Sequence, residues 1–162
     1  MLEEKAPKPW TKDNALQKAI RYCLYQERCT QDVLDKLISH KIYGTLQQQI
    51  IDQLIEDGYL DEARYVNAVI RGKSNALKWG ENKIRSFLSL KRIPKSLINA
   101  SMATLIDEDQ NLNQLINLIE KKISPLKKDL DFNEKNKINA AMMRKGYSLA
   151  LVQKAWDKIK RV

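Results

Sequence analysis

The fourteen residues VLDKLISHKIYGTL, positions 33–46, place apolar side chains at Val33, Leu37, Ile42 and Leu46. Moving 51 positions along the chain finds Ile84, Leu88, Ile93 and Leu97, and a further 54 finds Ile138, Met142, Tyr147 and Leu151. Every member of the three sets is apolar or aromatic. Recurrence at a period near fifty residues is the mark of a repeat array, in which each unit buries its face against a neighbour.

Outward from these sets, apolar residues keep a three-and-four spacing that predicts helix almost throughout. Ala15, Leu16, Ala19, Ile20 and Cys23 start the first triplet, which continues through Val33 to Ile38 and through Leu46, Ile50 and Leu54. Tyr65 to Ile70, Ile84 to Leu88 and Leu97 to Met102 supply the second. Leu112 to Ile119, Ile138 to Met142 and Val152 to Ile159 supply the third. The expected fold is all-α, an elongated array of three tandem three-helix repeats over residues 12–60, 61–105 and 106–162, with a flexible N-terminal arm at 1–11. Punctuation agrees. Thr30 and Ser148 suit helix N-caps, Asp61 offers a carboxylate to a helix start, Pro94 fits a first turn, and Gly58 and Gly146 fit helix stops. Ser124 to Lys128 is the expected flexible connection.

Composition supports the same class. With five Gly, four Pro, five Val and four Thr in 162 residues, the chain is poorly supplied for hairpins and strands. No stretch approaches the ~20 apolar residues of a bilayer span, and Met1 to Lys5 lacks a signal peptide's cationic start, so a cytoplasmic protein is expected. Cys23 and Cys29 read as ordinary buried thiols. His40 is the only imidazole, expected as a solvated residue near a helix end. Without a phosphate loop or a metal-ligand spacing, and with its paired carboxylates at helix boundaries, the chain is expected to be no enzyme and to hold no cofactor or metal.

Charge is uneven. The net charge is −1 over residues 1–60, +6 over 61–105 and +4 over 106–162, which points the later segments toward an anionic partner such as nucleic acid. Lys78, Arg85 and Arg92 are seven apart, and seven helical steps return within ~20° of the starting direction, so a fifth helix that includes Lys78 would carry them as one stripe. Arg64 and Arg71 repeat that spacing, and Lys83, Lys91 and Lys95 thicken the patch. Among the aromatics, Trp156 is assigned to the core, Tyr59 to packing against the helix it follows, and Tyr22 and Tyr25 to filling the first repeat. Trp79, beside Lys78 and Gly80, either closes the core or touches a partner.

The run Gly58-Tyr59-Leu60-Asp61-Glu62, with Arg64-Tyr65, Arg71, Trp79-Gly80, Ile84, Leu88 and Ile93, resembles the signature of the RecX family, bacterial regulators of the RecA recombinase. Ala15-Leu16, Ala19, Tyr22, Arg28, Leu34, Lys36 and Leu37 look like that family's first repeat. Met142 and Arg144-Lys145-Gly146-Tyr147-Ser148 look like its third. Two departures stand out at helix ends, Lys41 and Arg92, where the family usually has Gly; a left-handed conformation there costs about 1 kcal/mol. The resemblance implies a non-enzymatic monomer that lies in the groove of the RecA filament on single-stranded DNA, with ATP belonging to the recombinase. Arg64, Arg71, Lys78, Arg85 and Arg92 would make the central contacts, joined by Lys83, Lys91, Lys95, Arg144 and Lys145. Direct contact with the DNA stays open. The alternative is a helix-turn-helix-like DNA-binding protein.

Overall fold

The structure, a computed structural model, describes residues 8–126 and 129–159. Within them the chain is all-helical: α1 (Lys12–Tyr25), α2 (Thr30–Ser39), α3 (Gly44–Glu56), α4 (Glu62–Asn75), α5 (Glu81–Leu90), α6 (Lys95–Leu105), α7 (Glu108–Ile123), α8 (Phe132–Arg144) and α9 (Leu149–Ile159). A short 3-10 turn at Ser124–Leu126 follows α7, and the expected loop's remaining residues, 127 and 128, lie outside the described ones. No helix among the described residues is long and apolar enough to cross a membrane. The chain divides into two compact units, one ending at Tyr65 and one beginning at Val66.

Each triplet is closed by the same backbone device. α2 ends with Lys41 in the left-handed region, φ 63°, and Arg92 after α5 and Gly146 after α8 follow suit at φ 58° and 99°. The next residue turns its N–H back to the helix: Ile42 donates to the Leu37 carbonyl at 2.9 Å, Ile93 to Leu88 at 3.2 Å and Tyr147 to Met142 at 3.2 Å. Lys41, Arg92 and Gly146 donate to Ile38, Ser89 and Met143, each at 2.9 Å. This paired six-to-one and five-to-two closure is the Schellman motif, which satisfies the last orphan carbonyls and drives the following apolar side chain into the core. Val33, Leu37 and Ile42, their counterparts Ile84, Leu88 and Ile93, and Ile138, Met142 and Tyr147 are all buried. The repeat read from the sequence is therefore a repeat of burial and of hydrogen bonding.

In the first unit, α1 packs on α2 and α3 over a core of Ala15, Ala19, Val33, Leu37, Ile50, Ile51 and Leu54. Cys23 and Cys29 are buried thiols that are not joined in a disulfide. The cap of α2 differs from expectation: Cys29 occupies the N-cap and Thr30 is the first helical residue. Carboxylates do the work of a hydroxyl there, with the Thr30 N–H donating to Glu62 Oε1 at 2.9 Å and the Cys29 N–H to Asp32 Oδ2 at 3.4 Å. Of the expected arm, residues 1–7 lie outside the described ones, while Trp10 is anchored. Its ring stacks on His40 at 4.2 Å, its N–H donates to the His40 carbonyl at 3.0 Å, and His40 Nδ1 sits 2.6 Å from the Lys8 carbonyl. His40 is thus buried under an indole rather than solvated, because the arm folds back over the end of α2. Tyr25 corrects the other way: it is 83% exposed on the last turn of α1, while Tyr22 packs against the core.

In the second unit, α7 packs on α8 and α9 around Leu112, Leu115, Ile119, Met142 and Val152. Trp156 joins this core and donates its indole N–H to Asn139 Oδ1 at 2.7 Å. The start of α5 and the turn after α8 meet backbone to backbone. Gly80 donates to the Lys145 carbonyl at 2.7 Å and Asn82 to the Gly146 carbonyl at 3.0 Å, so the neighbouring turn caps α5. There is no room for a side chain: a Cβ on Gly80 would lie 2.4 Å from Gly146 C, and one on Gly146 2.5 Å from Lys83 N.

These backbone constraints act in opposite directions. Lys41→Gly and Arg92→Gly should each stabilise the protein by about 1 kcal/mol by relieving left-handed strain. Gly146→Ala, strained and overpacked, should lose more than ~2 kcal/mol, with urea denaturation as the measurement for all three.

Candidate functional site

The single stripe expected from seven-residue spacing does not form, because α5 begins at Glu81. Lys78 lies before it in a left-handed turn, φ 55°, and Arg92 lies beyond its end at φ 58°, so only Arg85 of the three is helical. The physical cause is the Gly80 cap, which must sit against Gly146 and so stops α5 from extending back to Lys78. Arg85 is drawn inward: its guanidinium pairs with Glu81 Oε1 at 2.6 Å and donates to Asn99 Oδ1 at 2.6 Å. Arg64 is likewise engaged, with Nε donating to Glu27 Oε1 at 2.6 Å and one terminal nitrogen reaching the Gly58 carbonyl at 3.1 Å. That arginine ties the turn before α4 to the region just after α1.

The other cations differ in exposure. Arg71 on α4, Lys78, Arg92, Lys95 at the start of α6 and Arg144 at the end of α8 are exposed, and Lys91 is half-buried. Lys145 donates through Nζ to the Leu77 carbonyl at 3.3 Å, bringing the end of α8 to the loop that carries Lys78. The Tyr147 hydroxyl joins the same place, accepting from Gln114 Nε2 at 2.7 Å and donating to the Lys78 carbonyl at 3.2 Å. Lys78, Lys83 and Lys145 are thus gathered around one junction. Among the described residues no hydrogen bond or ion pair ties Arg71, Arg92 or Lys95 to it.

The residues the spacing argument missed lie beside that junction. Trp79 packs edge-on against Phe87 at 6.1 Å, and the ammonium groups of Lys73 and Lys83 each sit 4.4 Å from the Trp79 ring centroid. Lys73 is also 4.1 Å from the Phe87 ring. The question left open for Trp79 therefore has a local answer, a half-buried indole bearing two cations. A related knot occurs in the first unit, where Arg28 lies 3.9 Å and Lys36 5.4 Å from the Tyr22 ring. Under the 51-residue offset, Tyr22 corresponds to Lys73, Arg28 to Trp79 and Lys36 to Phe87. Cation and aromatic have exchanged places between the two copies, and reading that exchange across the repeat is the signal that would have found Lys73 and Phe87.

Two phenols near these features are buried. Burial raises the Tyr147 pKa, against the lowering effect of the Gln114 hydrogen bond. Burial raises that of Tyr65 further, helped by the nearby Asp32 carboxylate. Among the described residues no group of His, Cys, Asp and Glu is placed to hold a metal ion.

Successive three-helix units closed by a shared turn define an all-α helical-repeat protein of tandem three-helix domains. The second three-helix domain of RecX matches residues 61–102 and the third matches residues 108–156. This chain belongs to the RecX family. It is 30% identical over 146 residues to the regulatory protein RecX of Bacillus mycoides, and 29% identical to that of Bacillus cytotoxicus, each alignment covering 90% of this chain and 54% of the relative. The chain thus spans about half the length of these curated relatives. Its fold is similar to a crystal structure of RecX from Lactobacillus salivarius, with a TM-score of 0.83 at 24% identity over 93% of this chain and 97% of that one. A second crystal structure, titled as a regulatory protein RecX, gives 0.79 at 20% identity over 90% and 71%.

A phenol whose proton is held more tightly in the fold than in the unfolded chain stabilises the fold while protonated. Its contribution is full below the ordinary value near ~10 and is lost as pH rises through the folded-state value. Phenolate absorbance should therefore show late-titrating steps, with Tyr147→Phe and Tyr65→Phe each removing one. Separately, Arg64→Ala should lower stability by about 1 kcal/mol in urea denaturation, a modest loss because the ion pair is partly solvated.

Proposed function

We propose that this chain regulates the RecA recombinase by binding the filament that RecA forms on single-stranded DNA. In this reading it restrains filament growth, strand exchange and co-protease activity, acts as a cytoplasmic monomer, and catalyses nothing itself. The observation that carries the reading is membership of the RecX family through both its second and third three-helix domains. The names of the curated relatives, regulatory protein RecX, support it, as does the net charge of +6 over residues 61–105.

A nucleoprotein filament is a polyanion coated by protein, so exposed cations carried on a rigid helical frame suit it. Arg71, Lys78, Lys83, Lys91, Arg92 and Lys95 would supply the central contacts, and Arg144 and Lys145 would extend them. Arg64 and Arg85 would contribute from within their ion pairs, chiefly by holding the turns that carry their neighbours. The nucleotide hydrolysed in any such assay belongs to the recombinase.

The test is a titration against RecA alone, single-stranded DNA alone and the assembled filament, at two salt concentrations, with filament ATPase followed in parallel. Tightest binding to the assembled filament with falling ATPase is expected. Sequence-preferring duplex binding without recombinase would replace this reading with a helix-turn-helix DNA-binding protein. Combined Arg71→Ala, Lys95→Ala and Arg144→Ala should keep full helicity by circular dichroism yet reduce inhibition at least about tenfold, and unchanged inhibition would discard the basic face.

A further inference from the structure

The two cation–aromatic knots differ in one respect that packing does not require. In the first, the position between the arginine and the lysine of α2 is Asp32, which supplies a carboxylate; in the second, the corresponding position is Lys83. Each knot sets two cations on one ring, Arg28 and Lys36 on Tyr22 and Lys73 and Lys83 on Trp79, so what the second copy lacks is the carboxylate that the first carries in register. Lys83 is a second positive charge on the same indole, where like charges repel. Among the described residues no carboxylate forms an ion pair with either ammonium group, although Arg85, two residues from Lys83, is paired with Glu81. The third repeat has no equivalent, since the positions of Trp79 and Phe87 are held there by Asn133 and Ala141.

From this we infer that Lys73 and Lys83, held over Trp79, form a binding site for the phosphodiester of a single-stranded nucleic acid. Both ammonium groups are 4.4 Å from one ring centroid, so twice that distance is the most that can separate them, close enough for both to meet the phosphates of one strand. The bound phosphate removes the repulsion that the site otherwise carries. Exposed Lys78, one residue from Trp79, adds a third charge for the adjoining phosphate. The ring itself is occupied by ammonium groups, so the site reads backbone charge and not bases. The inference rests on the regulator reading for its choice of strand and goes beyond it in making this chain touch that strand directly.

The experiment measures fluorescence anisotropy of a labelled oligothymidylate with the full chain and no recombinase, over a series of salt concentrations. Lys83→Asp, which installs the residue that the first repeat carries, and Lys73→Gln should each weaken binding about tenfold or more and reduce the salt slope by roughly 0.7 per phosphate lost. Both should melt like the parent, and if Lys83→Asp misfolds, Lys73→Gln alone decides. An abasic oligonucleotide of the same length should bind as well as oligothymidylate, and polyglutamate should compete poorly. Unchanged affinity in folded variants would overturn the site, a marked preference for the base-bearing strand would overturn backbone reading, and equal competition by polyglutamate would make it a site for acidic protein. A parent chain that inhibits filaments while its variants bind the oligonucleotide normally sinks this inference alone. One that loses oligonucleotide binding in the variants yet never affects a filament sinks the regulator reading instead.

Discussion

The helices of this protein depend on one backbone constraint, the left-handed residue that ends the second helix of each triplet. A helix end must find partners for its last carbonyls, and here two N–H groups folded back from the turn supply them. The turn also sets direction. Because the residue after the left-handed position is buried, a helix that ran one residue further would rotate Ile42, Ile93 or Tyr147 out of its core. Gly146 adopts this conformation without strain, whereas Lys41 and Arg92 adopt it against the preference of any residue with a Cβ. That two of the three copies accept the strain shows how strongly the surrounding apolar contacts over-determine the turn.

These turns also fix where charged side chains are carried. The turn after α8 is also the cap of α5, so the loop before α5 is held by backbone hydrogen bonds, by Lys145 and by Tyr147. Lys78 and Trp79 sit on that loop and Lys83 on the first turn of the helix it starts. Cations on long stems are thereby placed on a fixed base, which lowers the conformational entropy that any contact they make would have to overcome.

Much of this was legible in the sequence, and the boundary of legibility has physical causes. The helices and the fifty-residue repeat could be read because burial leaves marks at regular spacing, while the strained ends at Lys41 and Arg92 were read from the resemblance to the family, which usually has Gly there. Asp61 and Ser148 cap as expected because local acceptors act within one turn. The basic stripe failed because helical phase was extended across Gly80, where a contact with the distant Gly146 decides the helix start. His40 failed for a similar reason, since a distant arm brings Trp10 over it. Thr30 lost its cap role to carboxylates, one of them on the next repeat's first helix. The contact of Lys73 with Trp79 and Phe87 was not legible because cation and aromatic have traded positions, so matching residue types across the copies hides what matching their chemistry reveals.

The meeting of Gly80 and Gly146 also bears on how the protein is made. Synthesis runs from the N-terminus, and when α5 leaves the ribosome the acceptors for its first amide groups have not yet been translated. The second triplet therefore emerges with one helix uncapped and waits for the turn after α8 to arrive. Its completion is a late event of biogenesis, and a transcript or nascent chain broken between these glycines yields a middle repeat that lacks part of its own frame.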